Sequence, residues 1–318
     1  MASDIPAQLA KSERVCLVAP AGFGKTDVIA RSVAHHTQGR QLILTHTHAG
    51  VRALRERLAR YGATPSSFHL DTIAGFALRY AASLPRTSGL DTTQPMGAQW
   101  NDVYGAAATV LTTRFVGNVI KNSFTGVFVD EYQDCTASQH GLVLQMADLL
   151  PTRVVGDPLQ GIFEFGGVVD WEADIFPVFD RLDDLEVPWR WRDSNPELGE
   201  WLLELRANFL AGSHTDISTA PLHWVDSAHP AKQLAKCKEL ADAPGSVVAL
   251  RKWANACHSL AQKLGGIYTS MEEVESRDLQ KWARALEKAT SHKRAHVLME
   301  FASKCMTSVG SDFASMIK

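Results

Sequence analysis

The chain lacks several features that would settle its class at once. None of its apolar runs approaches the roughly 20 residues that a bilayer helix needs, so no membrane span is expected. Its five cysteines, Cys16, Cys135, Cys237, Cys257 and Cys305, form no CxxC pair and have no metal-spaced histidines beside them. That scatter argues against a zinc site and against a disulfide framework. The N-terminal MASDIPAQLAKSERV has no basic stretch leading into an apolar core and a small-residue cleavage site, so it does not read as a secretion signal and a cytoplasmic setting is expected. A formal net charge of −3 leaves no overall basic field, and any nucleic-acid contact must come from a local groove. Internal repeats and low-complexity tracts are absent as well. What remains is an ordinary globular composition, 45% hydrophobic and 21% charged over 318 residues, long enough for two domains or one large α/β domain with an appendage.

Apolar runs alternate with helical periodicity along the first half. RVCLVAP (14–20), QLILTHT (41–47), GVFVD (126–130) and TRVVGD (152–157) read as buried strands. Between them, KTDVIARSVAHH, AGVRALRERLARYG, TIAGFALRYAASL and SQHGLVLQMADLL carry helical spacing; in the second, Val51, Leu54 and Leu58 share a face opposite Arg55, Arg57 and Arg60, which read as a solvated side. This order predicts an α/β fold: a parallel sheet with helices on both faces and ligands at the carboxyl ends of its strands. Residues 85–99 read as a loop, PELGEWLLELRANFL as a long helix, and PLHWVD, SVVALR and KWANACHSLAQKLG as the start of another α/β unit, while 271–318 reads as almost wholly helical.

Two strings carry chemistry. In APAGFGKT (19–26) a strand passes into a glycine-rich loop and then a helix. The loop residues Ala21, Gly22, Phe23, Gly24, Lys25 and Thr26 are the candidate nucleotide contacts: glycines let backbone amides approach phosphates, Lys25 supplies a compact charge, and Thr26 is a magnesium ligand. In VFVDEYQD (127–134) a strand ends on two acids. Asp130 is the candidate partner of magnesium and Glu131 the general base that polarises an attacking water. The pair in this order points to an ATP- and magnesium-dependent hydrolase of the P-loop (RecA-like) type.

Together these strings resemble the UvrD/Rep-like branch of superfamily 1 DNA helicases, whose loop reads AxAGxGKT and whose acid motif reads DExQD. The resemblance continues at VVGDPLQGIFEF (154–165), similar to that family's VGDxxQSIYxF. It implies that Gln160 senses the γ-phosphate and that Phe163 and Phe165 face single-stranded DNA. LTHTHAGVRALRERL is similar to TFTNKAAxxMxxRL and TIAGFALR to TFHSFxxR, which implies strand contacts at Thr45, His46 and Thr72; His46 replaces the usual aromatic and Ala74 the usual histidine. PWRWRDS is similar to the NYRS motif and implies that Arg190, or else Arg192, neutralises charge on the transferred phosphoryl group. Gln8 is the candidate for the adenine-reading glutamine that precedes the loop.

The resemblance covers roughly 14–265 and implies a motor domain at 1–212 with a reduced accessory insertion near 80–122. The start of a second motor domain would follow at 213–265, then a truncated helical accessory segment at 266–318. A final arginine motif of the second motor domain is not found before Lys318, so the chain is either a piece of a longer protein or a reduced ATPase completed by a partner protein. The implied activity is ATP-driven movement on single-stranded DNA. Two alternatives stay open: a nucleotide-gated binding subunit of a larger complex, and a small-molecule kinase built on the same phosphate loop.

Overall fold

The computed structural model describes residues 4–305 except 162–166, 168, 183, 184, 186, 223, 227, 271–275 and 291. The chain forms two compact units, Met1–Pro221 and Leu222–Lys318.

In the first unit, helix α1 (Ile5–Lys11) leads into strand β1 (Arg14–Val18), then α2 (Lys25–Arg31), β2 (Gln41–Thr45), α3 (His48–Arg60), β3 (Phe68–Thr72), α4 (Ile73–Ser83) and a single turn, α5 (Pro85–Ser88). Helices α6 (Gln99–Leu111) and α7 (Arg114–Ser123) follow, then β4 (Gly126–Val129), α8 (Ala137–Ala147), β5 (Thr152–Gly156), a two-residue β6 (Asp180–Arg181) and α9 (Pro196–Leu210). The strands form one sheet in the order β3-β2-β4-β5-β1-β6, and each pairing is parallel. The four apolar runs read as strands are β1, β2, β4 and β5. Each is a near-continuous hydrophobic stretch because helices cover both faces of a parallel sheet.

Alternate side chains of each strand feed two cores. Cys16, Val18, Leu42, Leu44, Val127, Val129 and Val154 pack against Phe76, Val110 and Met146 on α4, α6 and α8. Their neighbours Val15, Leu17, Ile43, Phe128 and Val155 point to the other face, against Leu9, Ile29, Leu54 and Leu58 on α1, α2 and α3. Threonines fix where helices start: Thr47, Thr72, Thr113 and Thr136 each accept a backbone N–H of the first turn, and Gln139 completes a capping box with Thr136.

This order sets the site. β5 lies between β1 and β4, so the loop after β1, the acids after β4 and the Gly156–Asp157 step after β5 emerge side by side at the carboxyl edge. Ala19 N donates to Gly156 O at 3.0 Å and Asp130 N to Leu44 O at 2.9 Å, carrying the pairing just past the strand ends.

The described residues of the second unit hold α10 (Pro230–Asp242), α11 (Ala254–Lys263), α12 (Ser276–Lys288) and α13 (His292–Cys305). PLHWVD and SVVALR, expected to open an α/β unit, show no strand pairing among the described residues. An apolar stretch becomes a strand only where a neighbour takes up its backbone groups.

Gly156 is a packing requirement: a Cβ there would lie 2.8 Å from Gln133 Oε1 and 2.9 Å from the Trp171 ring. Gly156→Ala is therefore expected to destabilise by about 1–3 kcal/mol in chemical denaturation. Gly105→Ala, in α6 with open space around it, should instead stabilise by about 0.5–1 kcal/mol. Equal effects at the two positions would refute this packing argument.

Candidate nucleotide site

The phosphate loop turns through two left-handed glycines, Gly22 (φ 80°) and Gly24 (φ 87°), a conformation that a Cβ would oppose. α2 starts directly at Lys25, so its unpaired first-turn amides face the loop interior. Lys25 is 6% exposed, and its Nζ donates to Ala19 O at 3.0 Å. Burial lowers its proton affinity, while Glu131, Asp157 and Asp130 act to raise it.

Across from the loop, Thr26 Oγ1 donates to Asp130 Oδ2 at 3.0 Å, and Asp130 Oδ1 accepts from Glu131 N at 3.0 Å. Burial first, then the neighbouring Glu131, raises the Asp130 carboxyl from 3.8 to about 6. Glu131 has φ 55°, the one positive value at a non-glycine among the described residues. Such backbone costs on the order of 1–3 kcal/mol and persists where surrounding contacts hold it. Here Tyr132 is fully buried and bonded to His140 Nδ1 at 2.7 Å, while Gln133 Nε2 donates to Glu131 Oε2 at 2.8 Å.

The third strand end supplies Asp157. Its carboxylate accepts from Gln160 Nε2 at 2.5 Å, Leu159 N at 3.2 Å and Arg206 Nη1 at 2.7 Å.

A cleft of about 610 Å³ opens over the loop, lined by residues 20–28 together with Arg31, Arg57, Arg60, Tyr61, Glu131, Gln160, Trp189 and Arg190. The structure thus brings Ala21, Gly22, Phe23, Gly24, Lys25, Thr26, Glu131, Gln160 and Arg190 to one cavity, with Asp130 bonded to Thr26 behind it. The 188–195 segment lies against the loop: Arg190 N donates to Gly22 O at 2.9 Å, and a Cβ at Gly22 would overlap the Trp191 ring. Arg192 is instead engaged by Asp193, at 2.9 Å through both guanidinium contacts. An adjoining cavity of about 490 Å³ shares Thr26, Glu131 and Gln160 with the first and is lined by Thr45, His46, Thr47, Asp130 and Gln133 as well. His46 lies 3.5 Å from Cys135 Sγ, and burial lowers its imidazole to about 4, leaving it neutral at physiological pH.

Two expected residues lie elsewhere. Gln8 sits on the exposed side of α1 and lines neither cavity; α1 turns Ile5 and Leu9 into the core, which leaves position 8 facing outward. Thr72 is buried, and its hydroxyl is taken up in capping α4, accepting from Gly75 N at 2.9 Å. Phe163 and Phe165 lie outside the described residues. Conversely, Arg57 and Arg60, read as a solvated helix face, line the cleft. Sequence reasoning also missed Tyr61, whose OH donates to Asp27 Oδ2 at 2.7 Å, as well as Arg31, Asp157 and Arg206. The available signal was that Asp157 belongs to the GDPLQ string; nothing local marks Arg206, which sits within a regular helical pattern.

The hydroxyl and carboxylate oxygens of Thr26 and Asp130 suit magnesium, a hard cation that takes few protein ligands beside phosphate oxygens and water. Among the described residues no group of three His, Cys, Asp or Glu residues could hold a metal by itself.

A parallel sheet whose first strand runs through a glycine-rich loop into a helix, with acids on a nearby strand end, defines the fold class of P-loop NTPases. A family model described as an AAA domain (AAA_19) matches residues 3–166, just over half of the chain. The chain belongs to this AAA domain family, a P-loop group found in UvrD/Rep-type proteins. No curated protein matches it. No helix among the described residues is long and apolar enough to cross a membrane.

The raised Asp130 carboxyl makes a stability prediction. A folded-state value near 6 against 3.8 unfolded means that this group's stabilising contribution is complete below about pH 4 and is lost as pH rises through about 6. In metal-free buffer, Asp130→Asn is expected to raise the melting temperature by a few degrees near pH 7.5, with the gain shrinking as pH falls and vanishing below about pH 4. A variant less stable than the parent at neutral pH would contradict it.

Proposed function

We propose that this chain is an ATP-hydrolysing motor of the superfamily 1 helicase and translocase kind, coupling hydrolysis to movement on single-stranded DNA. The observation that carries the reading is the convergence of Lys25, Thr26, Glu131 and Gln160 on one cleft, with Asp130 held on Thr26. In this reading the loop amides and Lys25 hold the β- and γ-phosphates, and Thr26 and Asp130 hold magnesium. Bound magnesium supplies charge neutralisation on the phosphate oxygens. Glu131, fixed by Gln133, takes the proton of the attacking water. Gln160 and Arg190 face the transferred phosphoryl group, and Trp189, 52% exposed at the cleft, offers a flat face to the base.

The DNA side of the proposal rests on the adjoining cavity. Thr45 and His46 line it together with Glu131 and Gln160, so a strand held there would touch the hydrolytic residues directly. Phe163 and Phe165 follow Gln160 closely in sequence and would stack bases. Binding energy becomes directed motion where nucleotide states differ in strand affinity. On this reading 1–212 is the motor domain, 213–265 begins a second, and 266–318 is an accessory segment.

The test is an ATPase titration with single-stranded DNA, duplex DNA and RNA. Single-stranded DNA is expected to stimulate turnover, Lys25→Ala and Glu131→Gln each to reduce it by about 10²-fold or more, and Phe165→Ala to reduce the stimulation selectively. Equal rates with and without any strand would remove the motor reading, and tight nucleotide binding without turnover would favour the gated binding subunit.

A further inference from the structure

Asp157 is where the polar groups of the site meet. It is 2% exposed, yet its two carboxylate oxygens serve different elements: Oδ2 accepts from Gln160 Nε2 at 2.5 Å, while Oδ1 accepts from Arg206 Nη1 at 2.7 Å and Leu159 N at 3.2 Å. Its backbone N–H donates to Gln133 Oε1 at 3.0 Å, and the other end of that amide holds Glu131 at 2.8 Å. A continuous polar chain therefore runs from α9 through Asp157 to both Gln160 and Glu131. The path is sterically reserved, since Gln133 is buried and only a glycine at 156 leaves room for its Oε1.

The allocation of donors has a consequence for Gln160. One N–H of its amide is given to Asp157, and the second is left for a ligand of the cleft that the residue lines. A terminal phosphate there is met by that second N–H, while the bond to Asp157 Oδ2 fixes where the amide points. A buried carboxylate stripped of its donors is strongly disfavoured, whereas one still gripped by a guanidinium keeps a charge-assisted partner. Arg206, its own side chain 16% exposed, supplies that grip from outside the motif strings.

We propose that Arg206 is a positioning residue that holds Asp157 from helix α9 and so keeps the Gln160 amide, anchored on Asp157 by one N–H, aimed with the other at the terminal phosphate of a bound nucleoside triphosphate. The inference rests on the nucleotide reading above and deepens it: α9 becomes part of the device that tells triphosphate from diphosphate. With a diphosphate there is no terminal group for the second N–H to meet.

The experiment measures Kd for ADP and for a non-hydrolysable ATP analogue, both with magnesium, on the full chain. The parent, Arg206→Met, Gln160→Ala, the double variant and Arg206→Lys are compared. Arg206→Met and Gln160→Ala are each expected to lower the preference for the triphosphate analogue over ADP about tenfold, with ADP affinity unchanged. The double variant should lose no more than either single one, because both act through the one Gln160 amide. Arg206→Lys, which keeps the charge, should retain most of the preference. An unchanged preference in Arg206→Met, losses that multiply in the double variant, or a parallel fall in affinity for both nucleotides would each overturn the assignment; the last would make Arg206 a merely structural contact. A parent chain that binds neither nucleotide would instead bring down the nucleotide reading itself.

Discussion

The crowding of three acidic side chains at one edge of a sheet, Asp130, Glu131 and Asp157, is the constraint that the surrounding structure answers. Asp130, Glu131 and Asp157 all act on Lys25, and Glu131 adds to the burial that lifts the Asp130 carboxyl to about 6. Each acid is met by its own donor: Thr26 and a backbone amide for Asp130, Gln133 for Glu131, and Arg206 with Gln160 for Asp157. A purely structural edge would be more stable with neutral side chains, since buried charge is retained at a cost in stability. Keeping three acids there is consistent with selection for the handling of phosphate and a divalent cation.

The sheet order makes that concentration possible. With β5 set between β1 and β4, the phosphate loop and the acid pair flank a third strand end and meet above it through the Thr26–Asp130 hydrogen bond. Residues from three separate parts of the chain then approach from different directions without competing for the same backbone. The alternation of side chains into two cores holds the strands in register, so the positions of the carboxyl ends follow from packing far from the chemistry.

The main strands were legible because each is a short apolar run followed by a chemical string; β3 and β6 were not. FHLDT at an edge is half-polar, and β6 is only two residues long, so neither carries a periodic signal. Helices α6 and α7, in the interval that reads as a small insertion, are built of small and mixed residues, and their placement depends on packing, α6 against α4 and α8 and α7 against α6. The local part of the site, from Ala21 to Thr26 and from Asp130 to Gln133, was visible because each of the two strings carries its chemistry within a few consecutive residues. Arg57, Arg60, Tyr61 and Arg206 were invisible as site residues because tertiary folding alone brings their helices and loops to the cleft. Gln8 and Thr72 show the reverse: helix phase turns one away, and a capping hydrogen bond occupies the other.

The hydrogen bond from Arg190 N to Gly22 O joins two stretches of chain that lie far apart in sequence. Gly22 is one of the two left-handed residues that bend the loop, and Arg190 stands just ahead of α9. Whatever reshapes that bend therefore pulls on a peptide tether at the entrance of a fifteen-residue lever. Events at the smallest feature of the fold acquire mechanical leverage over one of its longest.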